Sequence, residues 1–223
     1  DDDTENKLDK YLLKMCDKRR CLELMHDFVL FDGGVKKLPR VHQYFGIKAA
    51  QERIAKREGG IIWHTQGSGK SLTMVMLARA LALEPAIRNP RIVLVTDRVD
   101  LDKQLGNTFA ACGLSPDRAE SGRHLVELVS DGKAHIVTTL VHKFDKALAY
   151  KKFSDASPDI FVLVDETQRT QLGGYSARMR QMFPNACYIG FTGTPLMKAE
   201  KSTAERFGGF IEPAYTIRDA VED

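Results

Sequence analysis

The residues His64, Thr65, Gln66, Gly67, Ser68, Gly69, Lys70 and Ser71 stand in an order suited to gripping a polyphosphate. Gly67 and Gly69 let the backbone turn so that successive N–H groups point at one phosphate, at the positive end of the helix that follows. Lys70 would reach the β and γ oxygens of a nucleoside triphosphate such as ATP, and Ser71 would hold a magnesium ion (Mg2+). The first position of this G-x-x-x-x-G-K-[ST] pattern is His64 in place of glycine. It falls at the end of the preceding strand, so its bulk alters the way into the loop more than the cradle itself. A second run, Phe161 to Glu166, is an apolar stretch ending in two carboxylates. At a strand end Asp165 can hold magnesium through water, and Glu166 beside it can polarise an attacking water. The third run, Gly190-Phe191-Thr192-Gly193-Thr194-Pro195, brings two hydroxyls and a glycine to another strand end, where they could sense a γ-phosphate. Catalysis is therefore expected from Lys70, Asp165 and Glu166, metal binding from Ser71 and Asp165, and nucleotide contact from Thr65 through Ser71.

Such residues work together only if the strands carrying them are parallel and end on one edge of a sheet. The required texture is present from Gly60 onward. Short apolar runs at Ile61 to Trp63, Ile92 to Val95, Ile136 to Thr138, Ile160 to Val164 and Tyr188 to Phe191 are too continuous for half-exposed strands. Helical patterns fall between them, at about Lys70 to Leu83, Val99 to Cys112, Ser121 to Asp131 and Ser176 to Met182. Repeated βαβ units of this kind predict an α/β fold, a mostly parallel sheet flanked by helices. Ahead of it, Leu8, Tyr11, Leu12 and Met15, then Leu22, Met25, Phe28 and Val29, mark two amphipathic helices. Phe31 to Gly34 breaks the pattern, and a further helix is expected from about Val41 to Arg57. The lysine-rich stretch Lys143 to Lys152 reads as a solvated face.

Composition narrows the function classes. The chain has 223 residues, 43% of them hydrophobic, enough for one domain with a full core and too many for a disordered tail. With 33 Lys and Arg against 30 Asp and Glu, its formal charge of +3 is too balanced to attract a polyanion by field alone. Contacts to nucleic acid would have to come from local placement. No apolar run is long enough for a membrane span, and the acidic start is unlike a secretory leader, so no membrane partner and a cytoplasmic location are expected. Of the cysteines only Cys16 and Cys21 are close in sequence, with no second pair to complete a zinc site, so reduced thiols are expected.

The three runs together resemble the superfamily 2 helicases and translocases, and more narrowly the motor (restriction) subunit of type I restriction-modification enzymes. The narrow resemblance rests on Ile62 to Met74, on Arg40-Val41-His42-Gln43-Tyr44-Phe45 and on Tyr215 to Asp223. It implies a P-loop NTPase with a RecA-like lobe, ATP and Mg2+ as cofactors, double-stranded DNA as track, and methyltransferase and specificity subunits as partners. It also implies roles for further residues. Gln43 matches the glutamine that reads adenine, with Arg40 beside it as a weaker candidate; a merely solvated amide is the alternative. Thr96 and Arg98, with Thr138 and Thr139, match loop residues that touch the DNA backbone, where hydroxyls can grip phosphate without reading sequence. Ordinary strand residues are the alternative for the two threonines. Thr192 and Thr194 match the motif that couples hydrolysis to movement.

One motif departs from the family. After the two carboxylates the run is Thr167-Gln168-Arg169, where the family usually carries a small residue, then histidine and arginine. Gln168 can donate and accept hydrogen bonds as neutral imidazole does, but it cannot become cationic. Gln168 and Arg169 are thus the expected coupling pair. Residues 1–40 are expected to be a helical linker from a nuclease domain and residues 41–223 the first motor lobe, with the second lobe, which supplies an arginine finger in such motors, absent. The other readings are a nucleotide-dependent switch or assembly module, and a generic superfamily 2 remodelling helicase.

Overall fold

The computed structural model describes residues 6–130, 134–150, 153–165, 172–193, 205 and 207–215. Two short helices come first, α1 (Lys7–Met15) and α2 (Lys18–Glu23), each opened by an acceptor side chain, Asn6 and Asp17. A π-helical turn, Leu24–Phe28, leads into a hairpin of β1 (Leu30–Asp32) and β2 (Val35–Lys37). Then α3 (Val41–Ala55), β3 (Gly60–His64), α4 (Lys70–Leu83), β4 (Arg91–Thr96) and α5 (Val99–Ala111) follow. The remainder is β5 (Asp117–Arg118), α6 (Gly122–Ser130), β6 (Ile136–Leu140), α7 (Lys143–Ala149), β7 (Ile160–Asp165), α8 (Leu172–Met182), β8 (Cys187–Thr192) and β9 (Phe210–Tyr215).

Seven of the strands form one sheet in the order β5-β6-β4-β7-β8-β3-β9, every pairing parallel. The continuous apolar runs make sense in it because both faces are covered. Alternate residues of a strand point to opposite faces. Accordingly Ile62, Ile92, Leu94, Phe161, Leu163, Ile189 and Phe191 pack with α3, α4 and α5 on one side. Ile61, Val93, Val95, Val137, Val162 and Val164 pack with α6, α7 and α8 on the other. Each fully buried Val, Leu or Phe is worth roughly 1.5–3 kcal/mol relative to exposure, so the sheet dominates the core.

All five expected strands and the expected helices between them are present within a few residues, except that α8 begins at Leu172, ahead of Ser176. The amino-terminal helices are less simply placed. Leu8, Leu12 and Met15 form the stripe of α1, yet all three are exposed. Of the second stripe, Phe28 is buried, and with Leu30 it enters the core beside α4. The lysine-rich stretch is not wholly solvated. Its residues Lys143–Ala149 fold as α7, with Phe144 and Ala147 buried against α6 and Lys143 donating from a buried position to the Ala119 carbonyl. No helix among the described residues is long and apolar enough to cross a membrane.

Candidate functional site

Helix α4 carries the chain from β3 to β4 across two strand positions, and β7 and β8 fill the gap. That crossover brings the three chemical runs to one sheet edge. Trp63 lies in register with Thr192, and Asp165 with Phe191, so the ends of β3, β8 and β7 are level. At about 4.8 Å per strand spacing, Asp165 sits roughly 10 Å across the edge from the root of the phosphate loop.

The loop itself, Thr65 to Gly69, has the backbone its sequence demands. Gly67 and Gly69 take φ of +82° and +86°, a region that side chains disfavour. The Ser68 hydroxyl donates to the Thr65 carbonyl at 2.6 Å, closing the turn from within. Lys70 opens α4 and its side chain crosses toward β8: a methyl group placed on Gly193 would lie 2.8 Å from the Lys70 Nζ. Gly193 is therefore the strand-end residue whose missing side chain leaves the ammonium its place. Ser71 and Asp165 supply hydroxyl and carboxylate oxygens, the hard donors that Mg2+ prefers.

Gln43 is neither solvated nor idle. It is 3% exposed, and its Nε2 lies 3.4 Å from the Ser68 carbonyl, 3.1 Å from the Gly69 carbonyl and 3.2 Å from the Thr73 hydroxyl. Its Oε1 accepts the Arg40 backbone N–H at 2.9 Å, half of a capping box that starts α3. One side chain thus ties the start of α3 to the phosphate loop and to the first turn of α4. A second lone pair on Oε1 can still accept a donor.

Beside it lies a group that the motif residues did not announce. The His42 ring stacks on Tyr215 at 3.8 Å and 16°, meets the His64 ring edge-on at 4.9 Å, and donates from Nε2 to the Ser68 carbonyl at 3.2 Å. Tyr215 accepts the Thr65 N–H on its own carbonyl at 3.1 Å. His64 is fully buried beneath α3, where Gly46 makes room: a methyl group there would stand 3.1 Å from its Nε2. Neither ring nitrogen of His64 has a hydrogen-bond partner among the described residues. Burial, and secondarily the electrostatic influence of His42 and Lys70, push its pKa down to about 3, so the ring is neutral at ordinary pH. Only pattern spacing pointed to the loop, and spacing carries no signal for a stacking pair separated by most of the chain.

The expected DNA-contacting residues divide. Arg98 is exposed at the start of α5. Thr96, Thr138 and Thr139 are buried strand residues, Thr138 and Thr139 paired with Leu94 and Val95. Their hydroxyls are therefore enclosed in the sheet, because a parallel strand covered on both faces has no solvent side. Thr192 is likewise buried, at the end of β8. Glu166, Gln168, Arg169 and Thr194 lie outside the described residues.

A parallel sheet with this loop between β3 and α4, and an acidic strand end on the same edge, defines a RecA-like P-loop fold. The chain belongs to the SWI2/SNF2 ATPase family, which it matches over residues 42–223. It is 34% identical to the endonuclease subunit of the type I restriction enzyme HindI from Haemophilus influenzae, over 91% of this chain and 22% of that protein. The endonuclease subunit of the type I restriction enzyme SsaAORF53P from Staphylococcus saprophyticus is 33% identical over 82% of this chain and 20% of its own length. The chain thus spans about a fifth of the curated relatives it matches. Among solved structures, the SWI2/SNF2 ATPase core of Sulfolobus solfataricus in complex with double-stranded DNA shares the fold with a TM-score of 0.60 at 16% identity, over 85% of this chain and 38% of that one. The helicase domain of Pyrococcus furiosus Hef does so with a TM-score of 0.57 at 20% identity, over 80% and 37%.

Proposed function

We propose that this chain is the first RecA-like lobe of an ATP-driven double-stranded-DNA translocase within a type I restriction endonuclease, working beside methyltransferase and specificity subunits. The observation that carries the nucleotide site is the loop geometry: two left-handed glycines, a lysine laid against Gly193, and Asp165 level with them. In this reading the loop N–H groups and Lys70 hold the β- and γ-phosphates, and Ser71 and Asp165 hold Mg2+, which when bound would neutralise phosphate charge. Glu166 orients and polarises the attacking water. Gln43 keeps its bracing bonds and uses the remaining lone pair of Oε1 to accept from the adenine amino group. Gln168, Arg169, Thr192 and Thr194 relay occupancy of the site to the rest of the motor.

The DNA track is supported by the Sulfolobus core's complex with double-stranded DNA and by the restriction-enzyme relatives. On this lobe exposed Arg98 is the side chain suited to phosphate; at Thr96, Thr138 and Thr139 the contact would have to be made by the strand-end backbone. Residues 1–40 serve as a linker from a nuclease domain and 41–223 as the lobe, which would leave the arginine finger to a second lobe. The 223-residue chain is expected to bind MgATP and to hydrolyse it slowly. Calorimetric titration of the chain and of its Lys70→Ala variant tests the site: binding should be abolished by the substitution, and an unchanged affinity would refute this assignment.

A further inference from the structure

We propose that His42 and Tyr215 form a clasp that positions the phosphate loop and makes its geometry depend on strand β9. The inference rests on reading this loop as the nucleotide site. A trans peptide unit carries its C=O and N–H on opposite sides. Whatever holds the Ser68 carbonyl from the protein side therefore aims the Gly69 N–H away from it, toward the cradle. His42 Nε2 is such a holder, at 3.2 Å. Gln43 reaches the same carbonyl less closely, at 3.4 Å, while sharing its amide with Gly69 and Thr73.

The direction of the His42 Nε2–H bond depends on the plane of its ring, and Tyr215 sets that plane by stacking within 16° of parallel. The Tyr215 carbonyl meanwhile accepts the N–H of Thr65 at the root of the loop. Both halves of one residue thus act on the loop, one directly and one through His42. Tyr215 is held there by a strand at the sheet's edge among the described residues: there β9 pairs with β3 alone, and the register shifts between Ile62 and His64, just where Tyr215 must be aimed. An edge strand with a local irregularity is among the more easily displaced parts of a sheet. A pull on β9 would tilt the His42 ring and turn the Ser68 peptide; by reciprocity, a phosphate held at the Gly69 N–H would stiffen β9. His42 and Tyr215 are positioning residues in this account and touch no reacting atom.

The test uses the whole 223-residue chain. MgADP and MgATP affinities are measured by calorimetry well below each variant's melting midpoint, and the Gly69 amide resonance is followed in the nucleotide-free chain. Tyr215→Ala removes the stack, Tyr215→Phe keeps it, and His42→Phe keeps a ring of similar size but removes the donor. Tyr215→Ala and His42→Phe should each weaken binding by about five- to tenfold, the scale of one buried hydrogen bond, and should shift the Gly69 resonance. Tyr215→Phe, which keeps the stack, should lose clearly less than Tyr215→Ala. The double variant Tyr215→Ala/His42→Phe should bind no more weakly than the worse single one, because the two residues act as one unit. Wild-type affinity in His42→Phe, equal losses in Tyr215→Phe and Tyr215→Ala, or additive losses in the double variant would each overturn the clasp. Should Tyr215→Ala fail to fold, the affinity and Gly69 resonance of His42→Phe still decide the matter. Failure of the site reading looks different: the wild-type chain would bind neither nucleotide, or Lys70→Ala would bind like wild type, and the clasp would fall with it.

Discussion

His64 makes the stability of this chain depend on pH in a way that can be isolated. Its imidazole is fully buried, its nitrogens lack partners among the described residues, and its pKa is pushed from 6.5 to about 3. The cause is burial first, then unfavourable electrostatic contributions from His42 and Lys70. A folded-state pKa below the unfolded one means that, between the two, the unfolded chain binds the extra proton. Stability from this residue is therefore fully present above about pH 6.5 and is lost progressively as pH falls toward 3. At pH 5 the unfolded state gains about 2 kcal/mol from protonating this one side chain, and the loss grows by roughly 1.4 kcal/mol per further pH unit. His64→Leu removes the titration and fills a similar space. At pH 8 it should be neutral or stabilising by up to about 2 kcal/mol, since it also removes two buried unpaired nitrogens. Urea denaturation of both chains at pH 8 and pH 5 reads the difference, because the remaining histidines contribute to both. The wild-type chain should lose about 2 kcal/mol more than the variant over that interval. Equal losses in the two chains would refute the reasoning, as would a variant much less stable at pH 8.

Two further substitutions examine the loop. Gly193→Ala puts a methyl group 2.8 Å from the Lys70 Nζ, an obstruction that the flexible end of a lysine can leave. ATP affinity should fall by about tenfold with the melting midpoint unchanged; wild-type affinity by calorimetry would show that the ammonium does not work from that place. Gln43→Ala leaves the Arg40 N–H without its acceptor and three oxygens without their shared donor, and should cost about 2 kcal/mol in urea denaturation. Gln43→Glu should cost more, because it turns a carboxylate toward three acceptors; the reverse order would mean that the brace does not hold the loop.

The sheet and its phosphate loop were legible because they rest on local signals. Branched apolar runs cannot be half exposed, and Gly67 and Gly69 stand where only left-handed residues close the turn. What escaped has physical reasons too. In β9, Glu212 and Pro213 interrupt the apolar pattern; Pro lacks an N–H, which an edge strand tolerates and a central strand does not. With two residues, β5 is too short to show a period. In α7 the lysines dominate the reading, yet Phe144 and Ala147, three apart, are the face that packs, and Lys143 reaches a carbonyl through its long stem. The threonines at 138 and 139, read as DNA-contacting loop residues with ordinary strand residues as the alternative, lie inside β6, because motif spacing gives no direction: adjacent strand residues face opposite sides, and here both sides are covered. For α1 the error runs the other way, since its pattern promises a partner for a stripe that is exposed.

Strand order is the deeper reason that the site outran the pattern. Sequence order puts β4 directly after the phosphate loop, and a sheet built by neighbours alone would have set β4 against β3. Instead β8 flanks β3 on one side and β9 on the other. The first neighbour delivers Gly193 to Lys70; the second delivers Tyr215 to His42, and through it to Ser68. Two late segments therefore grip an early loop from opposite sides. The loop's shape is a property of the assembled sheet, and a substitution in β9 should reach the nucleotide even though no phosphate-binding motif includes that strand.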